Sequence, residues 1–163
     1  MIRNTSGPLA PVCLPATSYS PGVDSVATVT GFGTTSAESD QPSTRLLTVD
    51  VNIISNSACR SKNPVYSSKV VDTMLCASVP QGGKVVQGVL CAGTDILPTA
   101  QDACKRDSGG PLVQAEGGKN TLLGVVSWGQ GCAEARYPGV YTRVSKYRTW
   151  IDTQIGGGRK CRE

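Results

Sequence analysis

An all-β fold ending in one C-terminal α-helix is what this sequence predicts, and three observations predict it. Turn formers are abundant, with 19 Gly and 10 Pro in 163 residues. Short runs of Val, Ile and Thr recur between them, and the clearest run alternates with polar residues at the two-residue period of a half-buried strand. The convincing helical stripe lies at the C-terminal end. With 39% hydrophobic and 17% charged residues, the chain suits one compact domain over residues 1–163 with its own core.

The elements follow in chain order. Residues 8–21 are proline-rich and read as an extended lead-in. Residues 25–31 read as a strand ending at Gly31-Phe32-Gly33, and 37–43 as a polar loop. Over residues 46–54, Leu47, Val49, Val51 and Ile53 take one face while Thr48, Asp50 and Asn52 take the other. Residues 55–60 suit one short helical turn, with Ser55 placed as its N-cap. Residues 121–128 and 139–143 read as buried strands. In the terminal helix Val144, Tyr147, Ile151 and Ile155 make one stripe, Ser145 is placed to cap it, and three glycines at 156–158 end it. The tail, 156–163, is polar and expected to be mobile.

One internal repeat interrupts this order. Ser68-Lys-Val-Val-Asp-Thr-Met-Leu-Cys-Ala77 is echoed by Gly83-Lys-Val-Val-Gln-Gly-Val-Leu-Cys-Ala92, with six of ten positions identical at an offset of fifteen. Two copies do not make a solenoid. The duplication, 68–92, brings an additional cysteine, and one copy is expected to occupy the native strand position.

Composition excludes several function classes. The net charge is +4, the Lys and Arg residues are scattered, and aromatics are 5%, which argues against a nucleic-acid surface. No apolar run is long enough to span a membrane. Seven cysteines stand at 13, 59, 76, 91, 104, 132 and 161, with no C-x-x-C pair and no histidine, so neither a metal site nor a cofactor is expected. Disulfides in an oxidising, extracellular compartment fit better, and the odd count leaves a thiol free or bonded to another chain. The N-terminus shows no secretory h-region. A disulfide-type chain with no such leader is expected to have sequence missing upstream.

The chemistry concentrates at Asp107-Ser108-Gly109-Gly110-Pro111, where a tight turn presents a serine hydroxyl. That pattern alone is weak, because the same residues favour any tight turn. Ser127-Trp128-Gly129 follows nineteen residues after Ser108, then Tyr137-Pro138-Gly139-Val140-Tyr141, then the helix with Trp150-Ile151. With Pro11-Val12-Cys13-Leu14-Pro15, Val29-Thr30-Gly31-Phe32-Gly33 and Met74-Leu75-Cys76-Ala77, these ordered motifs resemble the C-terminal half of a trypsin-like (chymotrypsin-family) serine protease over residues 11–155. The resemblance implies the second of two antiparallel β-barrels, with a C-terminal α-helix, and serine-type endopeptidase activity on protein or peptide substrates.

Carried over by motif, Ser108 is the nucleophile and Asp102 the base of a specificity pocket that accepts Arg or Lys through charge-assisted bonds. Gly129 and Gly139 are open pocket walls, and the backbone of Ser127, Trp128 and Gly129 pairs with substrate as a short strand. Asp107 takes the role of partner to the activated N-terminal ammonium. Arg106 and Ser108 hold the oxyanion-hole positions. The resemblance also implies a Cys104–Cys132 bridge and one from Cys59 to either Cys76 or Cys91. Cys13 resembles the cysteine that ties such domains to an upstream protease chain, and Cys161 has no assignable counterpart.

Three departures bear on function. The chain has no histidine, hence no usual general base, and no aspartate matching the family's triad aspartate. Arg106 stands where the family has the glycine whose N–H is an oxyanion donor, and a bulky cation there is expected to impair catalysis. No activation-type N-terminus is present to pair with Asp107. The expectation is a trypsin-like fragment inactive alone; the alternative is a pseudoprotease-like protein-binding module.

Overall fold

The computed structural model describes residues 11–34, 40–78, 107–129, 137–156 and 161. Six strands are described: β1 (Val26–Gly31), β2 (Leu47–Ile54), β3 (Met74–Ser78), β4 (Pro111–Glu116), β5 (Lys119–Trp128) and β6 (Gly139–Arg143). They close into an antiparallel barrel in the order β1-β2-β3-β6-β5-β4. Helices α1 (Asn56–Arg60) and α2 (Pro64–Lys69) fill the β2–β3 connection, and a 3₁₀ turn at Val144–Tyr147 leads into α3 (Arg148–Ile155).

The two-residue period divides the side chains between two cores. Val51, Ile53, Leu75, Ala77, Leu112 and Tyr141 point into the barrel with Ala27, Val29 and Leu123. Cys76 and Val140, each one residue out of phase, point outward and meet Cys59, Tyr66 and Val70 beneath α1 and α2. Alternation along 46–54 is thus met, with Val51 and Ile53 buried and Asp50 exposed. A Cys59–Cys76 disulfide ties α1 to β3 across 17 residues, with Cα atoms 6.3 Å apart. Closing a loop of that size contributes about 3 kcal/mol in the chain-entropy account.

Ser55 caps α1 as expected, accepting the Ala58 N–H at 3.1 Å. In α2, Asn63 Oδ1 accepts the N–H groups of Val65 and Tyr66, and Pro64 occupies the first turn where no donor is needed. Ser145 does not cap the terminal helix. It is buried inside the 3₁₀ turn, and α3 begins at Arg148 with no side-chain cap. The expected apolar stripe is also only partly used: Val144 is buried, whereas Tyr147 and Ile155 are exposed. Arg148 instead fastens the helix, donating to the carbonyls of Leu14 and Pro15 at 3.2 and 2.9 Å while its Nε pairs with Asp152 at 3.0 Å.

Cys13 is disulfide-bonded to Cys161, which corrects the expectation that it ties this chain to an upstream protease chain. Their Cα atoms lie 4.8 Å apart across a separation of 148 residues. The lead-in joins the barrel at the same place, with the Cys13 N–H donating to Asn120 O and Cys13 O accepting from Leu122 N, both at 2.8 Å.

Arg143 closes the barrel's far end. Its guanidinium donates to Met74 O at 3.0 Å, Asn56 Oδ1 at 3.2 Å and Ser20 Oγ at 3.4 Å. Burial pushes its pKa below the ordinary arginine value, opposed by the nearby Asp72 carboxylate. Among the described residues no helix is long and apolar enough to cross a membrane.

Candidate active site

The serine turn sits between β1 and the end of β5. Asp107 O accepts the Gly110 N–H at 2.8 Å, closing a four-residue turn with Ser108 and Gly109 at its tip. Gly109 has φ +85°, the left-handed backbone that a type II turn demands at its third position and that glycine adopts without steric cost. Ser108 is exposed, and its hydroxyl has no hydrogen-bond partner among the described residues. The turn is fixed to β5 on both sides: Gly109 N–H donates to Val126 O and Val126 N–H to Gly110 O, each at 2.9 Å.

Asp107 anchors the same turn from the other side. Its Oδ1 accepts the Gly33 N–H at 2.8 Å. A side chain at either Gly31 or Gly33 would overlap the Asp107 carboxylate, which explains two glycines flanking Phe32. The sequence Gly31-Phe32-Gly33 therefore forms a cradle for the residue next to Ser108.

The second wall is the end of β5. Pairing of β4 with β5 reaches Val125, and pairing of β5 with β6 is interrupted between Val126 and Trp128. Ser127 falls at this irregularity and is exposed, so the strand is re-aimed beside the turn. Trp128 is half-buried and pairs with Val140. Its ring lies 5.1 Å from that of Tyr66, tilted by 45°. Tyr66 is fully buried and donates its hydroxyl proton to Pro138 O at 2.8 Å. Gly139 is buried and opposes Gly129: a Cβ on Gly129 would stand 3.9 Å from both Gly139 Cα and Pro138 O. Gly129 therefore faces the backbone of Pro138 and Gly139.

The structure brings Asp107, Ser108, Ser127, Trp128, Gly129 and Gly139 to one end of the barrel around the β5 terminus. Asp102, Arg106, Cys91, Cys104 and Cys132 lie outside the described residues. Of the two partners open to Cys59, Cys76 is the one bonded. Sequence reasoning missed Tyr66, although the Asn63-Pro64 helix start was available to find its helix. No group of His, Cys, Asp and Glu suited to a metal ion occurs among the described residues.

At one end of the barrel an exposed serine on a glycine-dependent turn thus lies beside the irregular end of β5 and the facing glycines 129 and 139. The sequence matches the Trypsin family over residues 3–151. It is 39% identical over 143 residues to Trypsin-1 of Astacus astacus, covering 88% of this chain and 51% of that protein. It is 42% identical over 134 residues to Trypsin delta of Drosophila erecta, covering 82% and 44%. It is 37% identical over 161 residues to the urokinase-type plasminogen activator of Gallus gallus, covering 94% and 33%. The chain spans about half, or less, of the length of these relatives. With the barrel, the serine turn and the match in agreement, the chain belongs to the trypsin family of serine proteases.

Proposed function

We propose that this chain is the nucleophile- and substrate-bearing half of an endopeptidase that cleaves after Arg or Lys, and that its 163 residues do not turn over substrate alone. The observation that supports this most is the exposed Ser108 on the Asp107–Gly110 turn, hydrogen-bonded through Gly109 and Gly110 to the strand end that carries Ser127 to Gly129. In this reading the Ser108 hydroxyl attacks the scissile carbonyl, and substrate backbone pairs with the 127–129 edge. A substrate Arg or Lys passes the glycines at 129 and 139, which carry no side chain to block it, and its charge pairs with the Asp102 carboxylate.

A serine hydroxyl needs a base to attack at neutral pH, and the chain has no histidine. The base and its orienting carboxylate therefore come from polypeptide outside these residues. Disulfides at Cys59–Cys76 and Cys13–Cys161 suit an oxidising, extracellular setting.

A second reading, a pseudoprotease-like binding module, is favoured by one residue. Arg106 stands two before Ser108, where the resemblance implies a glycine donor to the oxyanion. Arg106 keeps the backbone N–H, but in this reading its long cationic side chain crowds the site and turns the peptide away, and loss of one such donor costs about 2.7–4 kcal/mol of transition-state stabilisation, or a factor of about 10²–10³ in rate.

A fusion of this chain behind the N-terminal half of the Astacus astacus trypsin-1 tests both readings. The enzyme reading expects amidase activity on Arg and Lys substrates, lost in Ser108→Ala, and none from the chain alone. Preference for Phe substrates sinks the Asp102 assignment, and turnover by the chain alone that Ser108→Ala abolishes sinks the claim of a missing base. A fusion that cleaves only after Arg106→Gly decides for the binding module.

A further inference from the structure

We propose that the turn at Thr17-Ser18 is an acceptor site for an O-linked sugar, an N-acetylhexosamine carried on either hydroxyl. Such a site is independent of the proteolytic reading and needs only the oxidising, extracellular setting that the two disulfides suit. Ala16 O accepts the Tyr19 N–H at 3.0 Å, which closes a four-residue turn and puts Thr17 and Ser18 at its central positions. Both residues are exposed, and neither hydroxyl has a hydrogen-bond partner among the described residues. Their oxygen lone pairs are free for an incoming electrophile.

Availability of the hydroxyl sets this pair apart. Several other surface hydroxyls are taken up locally: Ser25 donates to Gly22 O, Ser43 to Arg45 O, Ser61 to Ala58 O and Ser67 to Pro64 O. Ser20 is also exposed and stands directly before Pro21, but its Oγ accepts from the Arg143 guanidinium at 3.4 Å.

The frame around the turn is fixed. Pro15 and Pro21, both buried, restrict the backbone on either side. Pro15 O accepts from Arg148 at 2.9 Å, and Tyr19 donates its hydroxyl proton to Gln114 at 2.7 Å. Two residues before Pro15, Cys13 is bonded to Cys161. Composition then selects the modification. Serine and threonine among prolines are characteristic of O-glycosylated segments. Residues 11–23 carry no charged side chain, so an enzyme that reads charge beside its acceptor, as phosphate-transferring enzymes do, finds none.

The co-reactant is a nucleotide-activated N-acetylhexosamine. The Thr17 or Ser18 oxygen attacks its anomeric carbon, and a C–O bond forms as the bond from that carbon to the nucleoside diphosphate breaks. The diphosphate leaves and takes up the hydroxyl proton. Ser20 and Arg143 mark the end of β6 opposite Gly139, so a sugar on this turn stands away from Ser108 and leaves the candidate active site open.

The test is site mapping on the full chain secreted from animal cells behind a cleavable leader. Trypsin with cleavage before Asp24 releases residues 4–23, and electron-transfer fragmentation assigns the modified residue. We expect N-acetylhexosamine on Thr17 or Ser18, at least about tenfold above Ser20, whose hydroxyl the Arg143 bond holds. Thr17→Ala/Ser18→Ala removes the sugar without moving it to Ser20. A synthetic peptide of residues 14–21, which lacks Arg143, accepts sugar at all three hydroxyls. The folded chain, treated with purified transferase and uridine diphosphate N-acetylgalactosamine, gives the same selectivity whatever its cellular setting. Disulfide mapping of the secreted sample distinguishes a chain with reduced cysteines, which sinks the extracellular setting, from an oxidised chain bare at the turn, which sinks this proposal alone. Phosphate in place of sugar, or sugar on Ser20 in preference to Thr17 and Ser18, also overturns it.

Discussion

Replacing Tyr66 by phenylalanine removes one oxygen from the junction that joins the β2–β3 connection to Trp128 and Pro138. The Tyr66 hydroxyl donates to Pro138 O at 2.8 Å in a fully buried contact. Phenylalanine keeps the ring on Trp128 but leaves that carbonyl unsatisfied, a loss of about 1–3 kcal/mol. With a urea m-value of about 1–3 kcal/mol/M, the unfolding midpoint should fall by about 1 M, and at the extremes by about 0.3 to 3 M, under non-reducing conditions. Tyr66→Ala also empties the core beneath α1 and α2 and removes the ring pair, at about 3–5 kcal/mol for the cavity and about 0.5–1.5 kcal/mol for the pair. Fluorescence separates the two effects. The chain has two tryptophans, and Trp150 is already 63% exposed, so a red shift in emission reports on Trp128. The alanine variant should shift emission and the phenylalanine variant should not. Refutation would be both variants lying within about 0.5 kcal/mol of the parent, a spread ordinary for surface substitutions, with emission unchanged.

Three further outcomes follow from the same structure. Gly33→Ala puts a methyl group into the Asp107 carboxylate and should cost about 1–3 kcal/mol by urea unfolding; a neutral result would remove Asp107 from its cradle. Arg143→Lys keeps the charge but cannot reach Met74 O, Asn56 and Ser20 together, so a loss of about 1–3 kcal/mol is expected by thermal unfolding, against none if the charge alone matters. Burial, and secondarily the Glu116 carboxylate, raises the Tyr19 pKa above the ordinary tyrosine value. The folded state then holds the phenolic proton after the unfolded chain has released it, so this contribution is complete below pH about 10 and declines as pH rises through that range. Tyr19→Phe loses the 2.7 Å bond to Gln114 but also this alkaline decline, so its stability deficit should narrow between pH 8 and pH 11, and a constant deficit would contradict the assignment.

The strands were legible where burial follows a simple period. Alternation along 46–54 exposed β2 directly, because one face meets the barrel interior and the other does not. β4 was not read as a strand: it starts at Pro111, immediately after the serine turn, and only Leu112 of its six residues is fully buried. The terminal helix was read one turn too early because Val144–Tyr147 winds as a 3₁₀ turn around buried Val144 and Ser145, leaving the stripe split between two helix types. Cys13–Cys161 joins residues 148 apart, a closure that local spacing cannot indicate. Tyr66 was invisible for a related reason: its helix is six residues long, too short for a period, and its hydrogen-bond partner lies 72 residues away. The site motif was legible because a tight turn fixes its own residue types, whereas the Gly31–Gly33 cradle is explained only by the carboxylate that three-dimensional folding places between them.

The nucleophile role of Ser108 is tested most directly by covalent labelling with a fluorophosphonate, read by peptide mass mapping, in the chain alone and in its fusion behind a first barrel that supplies histidine and aspartate. A single adduct at Ser108 is expected in the fusion, abolished by Ser108→Ala, with no adduct on the chain alone. Equal labelling of the chain alone, or an adduct at any other serine in the fusion, would contradict it.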